Sequence, residues 1–128
     1  MKKLIYLDNN ATTQVHPEVV DIMNFCLKEC FGNPSTIYSF GKKAKRLMDE
    51  SREKIAKMID ASKDEIVFTS GGTEADNLAI FGIAKANKDR GKHIITSKIE
   101  HHAVINSCKA LEKDGFEITY LDVDKYGV

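Results

Sequence analysis

The sequence predicts an α/β fold built on a parallel sheet. Three observations carry that expectation. From Ile66 onward, β-rich apolar runs alternate with helical segments in the order β-α-β-α-β. The junctions from strand to helix are marked by turn and capping residues, Ser70-Gly71-Gly72-Thr73 first and Glu100-His101-His102 second. The composition is that of an ordinary globular chain: 128 residues, 42% hydrophobic and 30% charged. That excludes a disordered tail and allows a real core.

Taken in order, residues 4–7 (LIYL) read as a short strand. Pro17 suits the first turn of a helix, and Val19, Val20, Ile22, Met23, Cys26 and Leu27 give that helix an apolar stripe ending near Phe31-Gly32. Gly32-Asn33-Pro34-Ser35-Thr36 is a loop of turn formers. A long amphipathic helix runs from about Ser39 to Ile59, with Ala44, Leu47, Met48, Ile55, Met58 and Ile59 at helical spacing. Ile66-Val67-Phe68-Thr69 is the first strand of the βαβαβ core. Glu74 to Ala86 is a helix, His93 to Thr96 a strand, residues 102–113 a helix stopped by Gly115, and residues 116–121 a third strand. Two portions are expected, residues 1–60 with a strand and helices, and residues 61–128 with the sheet. The third strand has no helix after it to cover its far side, so the domain reads as interrupted there.

Charge and length exclude several classes. Lys+Arg and Asp+Glu are both 19, a net charge of zero, which argues against broad attraction to nucleic acid or an anionic membrane. Lys42-Lys43-Ala44-Lys45-Arg46 is followed on the same helix by Asp49, Glu50 and Glu53, which makes it a solvated charged face. No apolar run approaches the roughly 20 residues of a membrane span, and the opening residues lack a secretory signal. A cytoplasmic protein is expected. Three cysteines form no disulfide pattern. Cys26, Cys30 and Cys108 are read as small core residues, and no metal site is expected.

Two turns carry chemistry. In Thr69-Ser70-Gly71-Gly72-Thr73-Glu74 the glycines allow close backbone approach, and the helix start offers unpaired amides. This suits a phosphate group; a plain N-cap with a tight turn fits the same residues. GxxxxGK[ST] and GxGxxG are both absent. Glu100-His101-His102 opens the next helix, on the side of the sheet where ligands bind in open α/β folds. Either histidine suits a surface or capping role. Proximity to the glycine turn raises His101 as a ring that stacks or exchanges protons.

Four segments in register resemble the N-terminal part of a NifS/IscS-type cysteine desulfurase. They are Tyr6-Leu7-Asp8-Asn9-Asn10-Ala11-Thr12-Thr13, Gly32-Asn33-Pro34-Ser35, Thr69 to Asn77, and Glu100-His101-His102-Ala103-Val104. The resemblance covers essentially the whole chain. It implies a partial three-layer sandwich of the aspartate-aminotransferase type (fold type I), with residues 61–128 opening the domain that binds pyridoxal 5′-phosphate (PLP). It implies a homodimer that takes sulfur from L-cysteine, leaves alanine and hands a persulfide to iron–sulfur scaffold or thiolation proteins. By the same resemblance Gly72 and Thr73 cradle the phosphate, and His101 stacks on the cofactor ring and takes part in proton transfer. Asn10, Ala11, Thr12 and Asn33 border the substrate side and the dimer contact.

The chain departs from the family at Tyr38, where histidine is usual. The family's cofactor-bearing lysine, its aspartate and arginine, and its persulfide cysteine have no counterpart motif in these residues. The chain by itself is therefore expected to be inactive. Other functions open on the same residues are a selenocysteine lyase or aminotransferase of this fold, and a non-catalytic phosphate-ligand or protein-binding module.

Overall fold

The structure, a computed structural model, describes residues 4–128; the first three residues of the expected N-terminal portion lie outside them. Helix α1 (Pro17–Glu29) starts at a proline whose fixed φ suits a first turn and whose missing N–H costs nothing there. Helix α2 (Ser39–Met58) and a 3₁₀ turn (Lys63–Glu65) follow. Helix α3 (Gly72–Ala86), strand β1 (His93–Ser97), helix α4 (His102–Lys113) and strand β2 (Glu117–Leu121) complete the order. The chain divides into two units, Met1–Ile66 and Val67–Val128. No helix among the described residues is long and apolar enough to cross a membrane.

In the first unit, no residue of α1 is buried, so its expected apolar stripe is only partly covered. Ile22, Cys26 and Cys30 line a cleft with Ala44, Leu47 and Met48 of α2. The loop before α2 is tightly built. Asn33 Oδ1 accepts the Ser35 amide at 2.9 Å, and the Asn33 carbonyl accepts the Thr36 amide at 3.1 Å and its hydroxyl at 2.8 Å. Gly41 lets this loop rest on α2: a Cβ there would lie 2.5 Å from the Asn33 carbonyl oxygen and collide with the Thr36 side chain. The charged face of α2 carries the pairs Arg46–Glu50, Arg52–Asp49 and Lys57–Glu53 at helical spacing.

Two expected strands do not form. Residues 4–7 have no ladder, and Leu4 is 94% exposed. Residues 66–69 begin extended, with Ile66 at φ −94° and ψ 121°, but no strand pairs with them. A strand exists by its ladder. β-rich composition supplies the preference without supplying the partner.

The second unit holds a two-stranded parallel sheet, with His93 opposite Glu117 and Ser97 opposite Leu121. Parallel neighbours need a long crossover, and α4 is that crossover. Ile94 and Ile118, paired in the ladder, pack with Ile80 and Phe81 of α3 against Ala84, Leu111 and Phe116. The other face carries Ile95 and Leu121, both exposed, and a 2.7 Å hydrogen bond between His93 Nε2 and Thr119 Oγ1.

Helix α4 ends in a Schellman motif. The Phe116 amide donates to the Leu111 carbonyl, the Gly115 amide to that of Glu112, and Gly115 takes φ +82°. The hydrophobic contact that accompanies this motif is Leu111 with Phe116, two members of the core. One sequence feature thus ends the helix, aims β2 and closes the core. Leu111 has no exposed surface, so Leu111→Ala is expected to lower the unfolding free energy by about 2–5 kcal/mol in denaturant titration. A loss below about 1 kcal/mol would place the centre of the core elsewhere.

Candidate cofactor site

Helices α3 and α4 are held together through their second turns. Asn77 is the sixth residue of α3 and Ser107 the sixth of α4. Ser107 Oγ lies 3.1 Å from Asn77 Oδ1 and 2.7 Å from the Ala103 carbonyl oxygen, so its one proton is shared between two acceptors. Asn77 Nδ2 donates to the Thr73 carbonyl at 2.7 Å. Equivalent positions are therefore joined. The first turns of the two helices come to the same end of the unit, and Gly72, Thr73 and His101 with them.

At the start of α3, the Ser70 hydroxyl and amide both donate to Glu74 Oε2, at 2.6 and 2.7 Å. These bonds, the hydroxyl first and the amide second, hold the Glu74 carboxyl below the ordinary carboxylate range. Glu74 is thereby engaged outside its own first turn. No side chain caps α3. The amides of Gly72, Thr73 and Glu74 have no intrahelical partner and lie at the positive end of the helix dipole. At Gly71 and Gly72 an added Cβ would meet nothing within 4 Å. Gly71 is extended, at φ 166° and ψ 179°, so backbone strain does not demand a glycine there. Open space faces a row of unpaired donors, an arrangement that fits a phosphate group.

His101 is the N-cap of α4, and its Nδ1 accepts the Ala103 amide at 3.1 Å. In the neutral ring the proton then lies on Nε2. The His102 ring lies 6.2 Å away, tilted by 57°, so the adjacent histidines present different faces. Among the described residues no group of three or more His, Cys, Asp or Glu is placed to hold a metal ion. Lys98 is paired with Asp122 at 2.6 Å.

The remaining sequence candidates lie in the first unit. Asn10, Ala11 and Thr12 form an exposed turn, with the Ala11 and Thr12 amides donating to the Asp8 carbonyl at 3.2 and 3.5 Å. Asn33 holds the loop described above. Tyr38 is the exposed N-cap residue of α2. Asn77 lies at the end of a family-like segment with no role of its own in the sequence pattern, and Ser107 lies outside those segments. The available signal was a hydroxyl on the inward stripe of α4, four residues after Ala103.

The Ser70–Glu74 contact has a defined pH dependence. A lowered carboxyl pKa means that the contact is complete above the ordinary glutamate value of 4.5 and is lost as pH falls through the lowered value. The Ser70 amide resonance is expected to titrate with a midpoint below 4.5. A midpoint at or above 4.5 would contradict the contact.

The chain is similar to proteins of known family and fold. The aminotransferase class-V family matches residues 5–128. Cysteine desulfurase IscS of Dictyoglomus turgidum is 58% identical over 127 residues, covering 99% of this chain and 32% of that protein. Cysteine desulfurase IscS of Methanosarcina thermophila is 58% identical over 126 residues, covering 98% and 31%. Among solved structures, a NifS-like protein has TM-score 0.86 at 39% identity, covering 91% of this chain and 32% of that one. SspA in complex with cysteine has TM-score 0.83 at 41% identity, covering 91% and 33%. The chain spans about a third of the length of these relatives. Its mixed helices and parallel sheet follow the NifS-like, fold type I architecture. On the match over residues 5–128, the chain belongs to the aminotransferase class-V family.

Proposed function

We propose that this chain is the cofactor-anchoring part of a PLP-dependent cysteine desulfurase. The complete enzyme converts L-cysteine to L-alanine and passes persulfide sulfur to iron–sulfur cluster assembly or thiolation. It works in the cytoplasm as a homodimer, with a sulfur acceptor such as an iron–sulfur scaffold protein. Residues 61–128 open its PLP-binding domain. The observation that carries this reading is the uncapped, glycine-led start of α3 tied to the His101-capped start of α4. It occurs in a chain 58% identical to proteins named cysteine desulfurase.

Bound PLP supplies an electron sink that makes the substrate Cα proton acidic. This chain contributes orientation. The Gly72 and Thr73 amides and the Thr73 hydroxyl donate to the phosphate, with the α3 dipole favouring the dianion. His101 stacks its ring on the cofactor. Its Nδ1 lone pair is engaged by the Ala103 amide, so the free edge of the neutral ring is the Nε2–H donor, and taking up a proton requires Nδ1 to release that amide. Position and plane are thus fixed by two separate helix starts, which lowers the barrier by pre-orientation. Asn10, Ala11, Thr12 and Asn33 border the substrate side and the dimer contact. The sulfur nucleophile comes from elsewhere in the enzyme. Cys108 is 1% exposed, and burial, with Glu112 and Glu100 adding to it, pushes its thiol up, the wrong direction for a thiolate.

Two substitutions test the roles in the intact protein. Thr73→Val is expected to weaken PLP binding by about tenfold or more, since hydrogen bonds to charged groups are strong. His101→Ala is expected to cut kcat by about a hundredfold, with a smaller change in PLP affinity. Unchanged PLP affinity in Thr73→Val would sink the anchor. Damage from His102→Ala in place of His101→Ala would shift the assignment by one residue.

The isolated 128-residue chain is expected to form no alanine from L-cysteine with added PLP, beyond what free PLP produces. It should also self-associate through the exposed face that carries Ile95 and Leu121. Catalytic alanine formation by this chain alone would overturn the division of labour proposed here.

A further inference from the structure

We propose that Asn77 and Ser107 are a positioning pair, which locks the first turn of α3 to that of α4 and so sets the spacing between the phosphate anchor and His101. The link stands on this chain's own geometry; its consequence for the cofactor rests on the PLP reading above. Ser107 is 2% exposed. The Ala103 carbonyl, at 2.7 Å, already satisfies its hydroxyl within α4. The second arm, to Asn77 Oδ1, is the one that crosses to α3. Asn77 is used at both ends, since its Nδ2 holds the Thr73 carbonyl at 2.7 Å. On the other side, Ala103 donates its amide to His101 Nδ1. A continuous path of hydrogen bonds, each linked to the next through a single residue, therefore runs from Thr73 through Asn77, Ser107 and Ala103 to His101.

Apolar burial alone does not do this work. Ala84 and Leu111 pack the later turns of the two helices, and Ala103 and Cys108 are buried on either side of Ser107. Apolar contact is non-directional and tolerates sliding, whereas a hydrogen bond fixes register. In the second turns of the two helices, the Asn77–Ser107 contact supplies that direction.

The test uses the intact protein with Asn77→Ala, Ser107→Ala and the double variant. Asn77→Leu keeps the bulk and removes the hydrogen bonds, as a parallel variant should alanine disturb folding. Without cofactor, ring ¹⁵N shifts of His101 report its acceptor bond to Ala103. Asn77→Ala or Asn77→Leu, both on the other helix, is expected to move those shifts toward a mixture of tautomers. With PLP bound, visible circular dichroism per bound cofactor reports how the ring is seated. Each single substitution is expected to change it, and the double variant to change it no further, as a shared interaction requires. His101 shifts identical to the parent's would overturn the link. Unchanged circular dichroism, or additive changes, would overturn the positioning role. If the parent protein binds no PLP, the proposed function and the positioning role fail together, while the His101 shifts still decide the link.

Discussion

The parallel pairing of β1 with β2 is the constraint on which the site depends. Parallel neighbours cannot be joined by a tight turn, so the chain must return along the whole strand through α4. That return puts the end of β1 and the start of α4 at one end of the unit. It also turns Ala103, Ser107, Cys108 and Leu111 inward, where α3 can pack on α4. The Leu111–Phe116 contact closes the far end of this arrangement by ending the helix and starting β2 in one motif. Burying a residue such as Leu111 contributes about 1.5–3 kcal/mol, so the core fixes the helices before any ligand contributes.

What the fold leaves at the opposite end is polar and unfinished. α4 begins with a histidine acting as its own cap, which fixes the ring through Nδ1. α3 begins without a side-chain cap, because Glu74 is turned back to Ser70. The two helix starts therefore differ in chemistry: one offers a fixed ring, the other free amides. A ligand with an anionic group and a flat aromatic body matches both at once. At positions 71 and 72 glycines stand where nothing in this chain would meet a Cβ, which suits the proposed close approach of a ligand.

Much of this was legible in the residues, and the failures have physical causes. Helices with strong periodicity and clear stops, such as Pro17 to Glu29 and His102 to Lys113 with Gly115 beyond, fell where expected. The strands at 4–7 and 66–69 did not, because a ladder partner is a property of the whole sheet and leaves no mark in the strand itself. The two turns at Gly72 and His101 were found from turn chemistry, and the family resemblance pointed to the same residues. That His101 would accept its own helix's amide was one of the roles open to it. The Asn77–Ser107 contact was not readable, since residues 30 apart in sequence meet only once the helices have packed.

The start of α3 is proposed to hold a phosphate, and a crystal structure of the intact protein with PLP decides this. Phosphate oxygens are expected to accept from the Gly72 and Thr73 amides at about 2.7–3.2 Å. A phosphate held by other groups, with those two amides left facing solvent, would contradict it.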